Sequence, residues 1–136
     1  MIKICVIDGQ GGGIGGTVIK KLKNIFNESV EIIALGTNAI ATSNMLKAKA
    51  NKGASGENAI VQTVKDVDFI IGPISILLAN AMMGEITPKI AESISSSSAL
   101  KLMLPLSQEN IQIIGMPQTP LPQLVDKLIK DYLSDI

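Results

Sequence analysis

The sequence predicts an α/β protein, a three-layer sandwich around a mostly parallel sheet with an antiparallel strand at one edge. Three observations lead there. Short apolar runs that barely alternate, such as Ile4-Cys5-Val6-Ile7, suit strands buried on both faces. Amphipathic stretches separate these runs, giving the order β-α-β-α-α-β-α-α-β-β-α. A glycine-rich turn, Gly9 to Gly16, joins the first strand to the first helix and holds half of the chain's 12 glycines. At 136 residues the chain is expected to be one domain, residues 1–136. Its only aromatics are Phe26, Phe69 and Tyr132, so the core must come from Ile, Leu, Val, Ala and Met.

The first strand is Lys3–Ile7. The first helix, from about Ile14 to Asn24, has Ile14, Val18, Leu22 and Ile25 as its apolar stripe. The second strand, Val30–Leu35, ends at Gly36-Thr37-Asn38. Thr37 or Asn38 then caps a helix over Ala39–Lys49. Residues 51–56 read as a flexible loop, with Ser55 capping a short helix over Glu57–Lys65. The third strand, Val67–Ile71, stops at Gly72-Pro73. Ile74–Met83 reads as a helix apolar nearly all round, buried or facing a partner, with Gly84 as its C-cap. Thr87-Pro88 is a fresh helix start. The fourth strand is Leu100–Leu104 and the fifth Ile111–Gly115. The six residues between them are too few for a parallel crossover, so the fifth should run antiparallel as a hairpin partner or fail to pair. A closing helix to about Leu133 turns Leu121, Leu124, Val125, Leu128 and Tyr132 inward. The expected strand order is 3-2-1-4, with the fifth at an edge.

Composition removes several functions. The chain has 12 Lys, 12 acidic residues, no Arg and no His. Nucleic-acid binding, which relies on a basic field, Arg forks and stacking aromatics, is not expected. Without His there is no Ser-His-Asp or Cys-His catalysis, and no imidazole metal ligand. Cys5 lies inside a strand, as a buried inert thiol would. Phe69–Gly84 is uncharged for 16 residues but is too short and too broken by Gly72-Pro73 to span a bilayer. The N-terminus enters a strand without the features of a signal peptide, so a cytoplasmic location is expected.

The chemistry concentrates at the glycine loop. Gly11-Gly12-Gly13-Ile14-Gly15-Gly16 fits G-x-G-x-x-G between a strand and a helix, the Rossmann-like setting of a dinucleotide fingerprint. An NAD site also wants an acid at the end of the second strand, and Thr37-Asn38 stands there instead. NAD is weakened, and a nucleotide or other phosphate-bearing ligand is the broader expectation. The candidate binding set is Asp8, Gly9, Gln10, Gly11, Gly12, Gly13, Ile14, Gly15, Gly16 and Thr17, completed by Thr37, Asn38 and Gly72. Asp8 admits three roles. It caps the loop amides itself, binds a divalent cation that bridges to phosphate, or holds ribose hydroxyls. Gly72-Pro73-Ile74-Ser75 and Pro105-Leu106-Ser107 should share this sheet edge, and Glu57 and Asn58 complement a helix dipole. No catalytic or metal-ligating set stands out, and the question of an enzyme stays open. The second hypothesis is a homo-oligomeric structural protein with an empty loop, supported by the apolar Ile74–Met83 stretch.

The stretches Val6–Gly15, Ile32–Ala41, Gly56–Val61, Ile70–Ile76 and Gly84–Pro88 together resemble a bacterial, Firmicutes-type family of domains of unknown function. The resemblance spans nearly the whole chain. It implies a small, stand-alone cytoplasmic protein and brings no reaction with it.

Overall fold

The computed structural model describes residues 1–106 and 109–136. One sheet of five strands runs through the middle, in the order β3-β2-β1-β4-β5. The strands are β1 (Lys3–Asp8), β2 (Glu31–Gly36), β3 (Lys52–Ser55), β4 (Phe69–Pro73) and β5 (Leu100–Leu104), and every pairing is parallel. The described helices are α1 (Gly13–Phe26), α2 (Ala39–Lys47), α3 (Glu57–Thr63), α4 (Pro88–Ser96) and α5 (Leu121–Tyr132). The chain runs outward from β1 to β3, returns past β1, and runs outward again through β4 and β5. The point where the order reverses lies between β1 and β4.

Strand periodicity divides the core into two layers. Ile4, Val6, Ile32, Ala34 and Ile71 pack with Val18 and Leu22 of α1, Met45 of α2 and Val125 and Leu128 of α5. Cys5, Ile7, Ile33, Leu35 and Ile70 pack on the other face with Ile60 of α3 and Ile90 and Ile94 of α4. Two buried faces explain why these strands read as continuous apolar runs. Burial of Cys5 pushes its thiol far above the ordinary cysteine range, so it is inert. Asn38 caps α2, accepting from the Ala41 amide at 2.8 Å, and Thr87 caps α4 ahead of Pro88.

Five expectations are corrected. Residues 52–55 form β3, a fully exposed edge strand that pairs with Ile33–Gly36 through its backbone. Lys-Gly-Ala-Ser has neither alternation nor β-branching, so no side-chain signal marks it. Ser55 caps nothing: Gly56 precedes α3, and the Ser55 hydroxyl donates to Thr42 Oγ1 at 2.7 Å. The Val67–Ile71 run pairs with β1, not beyond β2, because β3 holds the place outside β2. The antiparallel edge strand is absent. Residues 111–115 are irregular and exposed, and β5 is the sheet's outer strand on that side. Lastly, Ile74–Met83 is no α-helix. A 3-10 turn over Ile74–Leu77 gives way to tight turns with positive φ at Asn80, Met82, Met83 and Gly84. An all-round apolar stretch has no period to impose, and contacts of Met82 and Glu85 decide its path. Smaller differences follow the same logic. Ile25 and Tyr132 are exposed, while Ile19, Ile129 and Leu133 take core positions. Ser107 lies outside the described residues.

No helix among the described residues is long and apolar enough to cross a membrane. Because Ile4 is fully buried at the centre of the α1–α5 layer, Ile4→Ala should cost about 2–5 kcal/mol, read from urea unfolding midpoints at unchanged m-value.

Candidate functional site

The site is built on the turn from β1 into α1. Asp8 ends β1 and is only 3% exposed. Its Oδ1 accepts the Gly9 amide and its Oδ2 the Gly15 amide, both at 2.8 Å. The Ile14 amide also favours the charged carboxylate. Asp8 therefore serves as the anion at the α1 N-terminus, satisfying amides that would otherwise seek a ligand. Of the three roles open to Asp8, capping of the loop is the one seen.

A second carboxylate closes the other flank of the loop. Glu85 Oε1 accepts the Gln10 amide at 2.8 Å, the Thr37 hydroxyl at 2.5 Å and the Asn38 side-chain amide at 2.9 Å. Asn38 also donates to the Gln10 carbonyl at 3.0 Å, and Asn44 to the Gly11 carbonyl at 2.7 Å. An acid thus does stand at the end of β2, but it arrives from the turns after β4. Sequence reasoning missed Glu85 because nothing local links residue 85 to residues 10 and 37.

The glycines divide into two sets. A methyl on Gly9 would lie 2.6 Å from Met82 Sδ and 2.7 Å from Thr37 Oγ1. On Gly12 (φ +73) it would lie 2.7 Å from the Ala41 carbonyl oxygen, and on Gly15, 2.5 Å from Met45 Sδ and 3.1 Å from Asp8 Cβ. Gly9, Gly12 and Gly15 are therefore required by packing or backbone. At Gly11, Gly13 and Gly16 nothing among the described residues lies within 4 Å of an added methyl, and φ is not positive. The spacing match falls on Gly11, Gly13 and Gly16, so the glycines that build the loop are not those that match the pattern.

An open cleft of about 330 Å³ lies over this turn at the switch point between β1 and β4. Ligands in open α/β sheets bind at such a crevice. Asp8, Gln10 and Ile14 line it from the loop, Pro73, Ser75 and Met82 from beyond β4, and Leu106 and Glu109 from beyond β5. None of the other candidates is among the residues that line the cleft. Thr17 bonds back to the Gly13 carbonyl at 3.1 Å, and Thr37 and Asn38 are held by Glu85. Gly72 is a packing position, where a methyl would lie 2.5 Å from the Ile7 carbonyl oxygen. Glu57 accepts from Thr87 at 2.6 Å. No cluster of three potential metal ligands occurs among the described residues.

The two acids titrate in opposite directions. Burial raises the Asp8 pKa more than its amide bonds lower it, and the nearby Glu85 charge adds to the rise. Burial also raises Glu85, but the bonds from Thr37, Gln10 and Asn38 together outweigh it and leave its pKa lowered.

Fold and site together define a Rossmann-like parallel α/β protein with a glycine-loop cleft at the topological switch point. More particularly, the chain belongs to the family described as domain of unknown function (DUF3842), whose model matches residues 3–136. No curated protein matches the chain.

The two glycine sets should respond oppositely to alanine. Gly12→Ala should destabilise by more than about 1 kcal/mol, from its left-handed backbone and the Ala41 contact. Gly16→Ala, inside α1 with room for a methyl, should stabilise by about 0.5–1 kcal/mol in the same denaturation assay. Carboxyl-carbon NMR titration should find the Glu85 midpoint below 4.5 and that of Asp8 above 3.8. By linkage, Glu85 contributes stability above its unfolded pKa and loses it as pH falls through its folded value. Asp8 does the reverse, costing stability as pH rises from its unfolded value through its folded one.

Proposed function

We propose that this protein binds a small phosphate-bearing ligand, of mononucleotide rather than dinucleotide size, in the cleft between β1 and β4. The observation that carries this reading is the second glycine set. A glycine inside a helix costs roughly 0.5–1 kcal/mol relative to alanine. No described residue needs the missing side chains of Gly11, Gly13 or Gly16, so a group approaching from outside the chain accounts for them. Gly11 and Gly13 are exposed residues at the α1 N-terminus, next in sequence to Gln10 and Ile14 of the cleft lining, where a phosphate is favoured. With Asp8 already bonded to loop amides, a magnesium ion arriving with the ligand would ease the repulsion between carboxylate and phosphate.

The flank beside β2 argues against a dinucleotide. A dinucleotide ribose would bind at the end of β2. Met82, Glu85, Thr37 and Asn38 already fill that place against Gly9. Asp8 is engaged in capping and the chain has no histidine, which favours a carrier or sensor over an enzyme. Residues 1–136 act as one cytoplasmic domain in this proposal.

Native mass spectrometry of freshly purified protein, followed by thermal shift with AMP, ADP, ATP, NAD and NADP with and without magnesium, tests it. A mononucleotide near a hundred times its dissociation constant should add about 2.7 kcal/mol of stability, and the dinucleotides less. Gly13→Val should abolish that shift and leave the unliganded melting curve close to wild type. Purified protein without bound mass, together with no shift across the panel, would rule the proposal out. The same spectra count subunits. They test a second reading, the homo-oligomer, which rests on the exposed Met83 and Ile114.

A further inference from the structure

We infer that the cleft between β1 and β4 holds a hard divalent cation of the magnesium or manganese class, bound by Asp8, Ser75 and Glu109. This goes beyond the phosphate reading above and stands without it, because the chain's own oxygen atoms supply the site. Three neighbouring strands deliver these residues to one edge of the sheet. Asp8 ends β1 just past Val6, and Val6 pairs with Ile71 of β4. Ser75 lies in the 3-10 turn that follows β4 directly. Pro73 pairs with Leu104, the last residue of β5, and Glu109 lies beyond that strand. All three residues line the cleft of about 330 Å³.

The polar part of the lining is acidic and built from oxygen. Asp8 and Glu109 bring carboxylates, Ser75 a hydroxyl and Gln10 an amide oxygen, and no lysine is among the described lining residues. Neither Asp8 nor the neighbouring Glu85 forms an ion pair with a lysine among the described residues. A buried carboxylate without a counter-charge is costly, and a cation from solution supplies one. The Gly9 and Gly15 amides take one acceptor position on each Asp8 oxygen and leave the others for a metal, while fixing the carboxylate in place. Ser75 is the independent sign of a ligand. It is only 4% exposed, yet its hydroxyl has no hydrogen-bond partner among the described residues. No buried side-chain oxygen among those residues is sealed off without a partner, so this one opens into the cleft that Ser75 lines. Oxygen donors select a hard ion over zinc or copper, and the Met82 thioether is too soft to alter that. Two carboxylates and a hydroxyl are few for calcium and suit a smaller ion that keeps several waters.

Titration of metal-stripped protein with manganese chloride, without any nucleotide, tests the inference through the electron paramagnetic resonance signal of free Mn²⁺. A single saturable site per chain is expected, displaced by magnesium. Glu109→Gln and, independently, Ser75→Ala should each weaken it, the lost carboxylate by about tenfold or more, with circular dichroism confirming that each variant folds. Glu92→Gln removes an exposed acid of α4 that does not line the cleft, and should bind manganese as the wild type does. Absence of saturable binding, wild-type affinity in either cleft variant, or an equal loss in Glu92→Gln would overturn the inference. A nucleotide-induced melting shift without a manganese site would leave the phosphate reading standing and the cation site overturned. Saturable manganese binding that both cleft variants weaken, with no melting shift from any nucleotide, would support the cation site and overturn the phosphate reading.

Discussion

The carboxylate of Asp8 is the interaction on which the loop depends. One short side chain joins the end of β1 to the first turn of α1 through the Gly9 and Gly15 amides. It answers the unpaired amides of a helix start from inside the protein, and it is buried while doing so. Those amides set its charge against the cost of burial, and burial prevails in raising its pKa. A phosphate cannot take the same amides.

Glu85 plays the matching part on the opposite flank. Three donors from two separate segments converge on one oxygen, so the turns after β4 are fastened to the glycine loop and to the end of β2. The cluster of positive-φ residues at 80, 82, 83 and 84 is the backbone route that delivers Met82 and Glu85 there. Gly9 is the complement of this arrangement, because a side chain on it would collide with Met82 and Thr37. With one flank filled, the open volume is left between β1 and β4.

Much of the fold was legible in sequence because its strands are buried twice over. Continuous apolar runs marked β1, β2 and β4, and helical stripes marked α1, α3 and α5. The glycine loop was legible too, as was the possibility that Asp8 caps it. The runs at 74–83 and 111–115 misled for a shared reason. Apolarity without a face carries no period, so composition suggested regular structure where tertiary contacts imposed turns. β3 stayed hidden for the opposite reason, since its pairing uses backbone groups and its side chains are all exposed.

The sequence by itself determined the α/β class, the strand-loop-helix opening, a cap at Thr37 or Asn38 and another at Thr87, and the exclusion of histidine and arginine chemistry. These follow from local periodicity, capping side chains and composition, which need no knowledge of distant neighbours. Only the tertiary structure decided which glycines are required, where β3 pairs, and that an acid does reach the end of β2. Each of these depends on contacts between residues far apart in the chain, such as Glu85 with Gln10 and Gly9 with Met82. Spacing in the sequence pointed to Gly11, Gly13 and Gly16 as the loop's framework. Packing assigns that task to Gly9, Gly12 and Gly15, because only there does another part of the chain occupy the space of a side chain or the backbone turn left-handed.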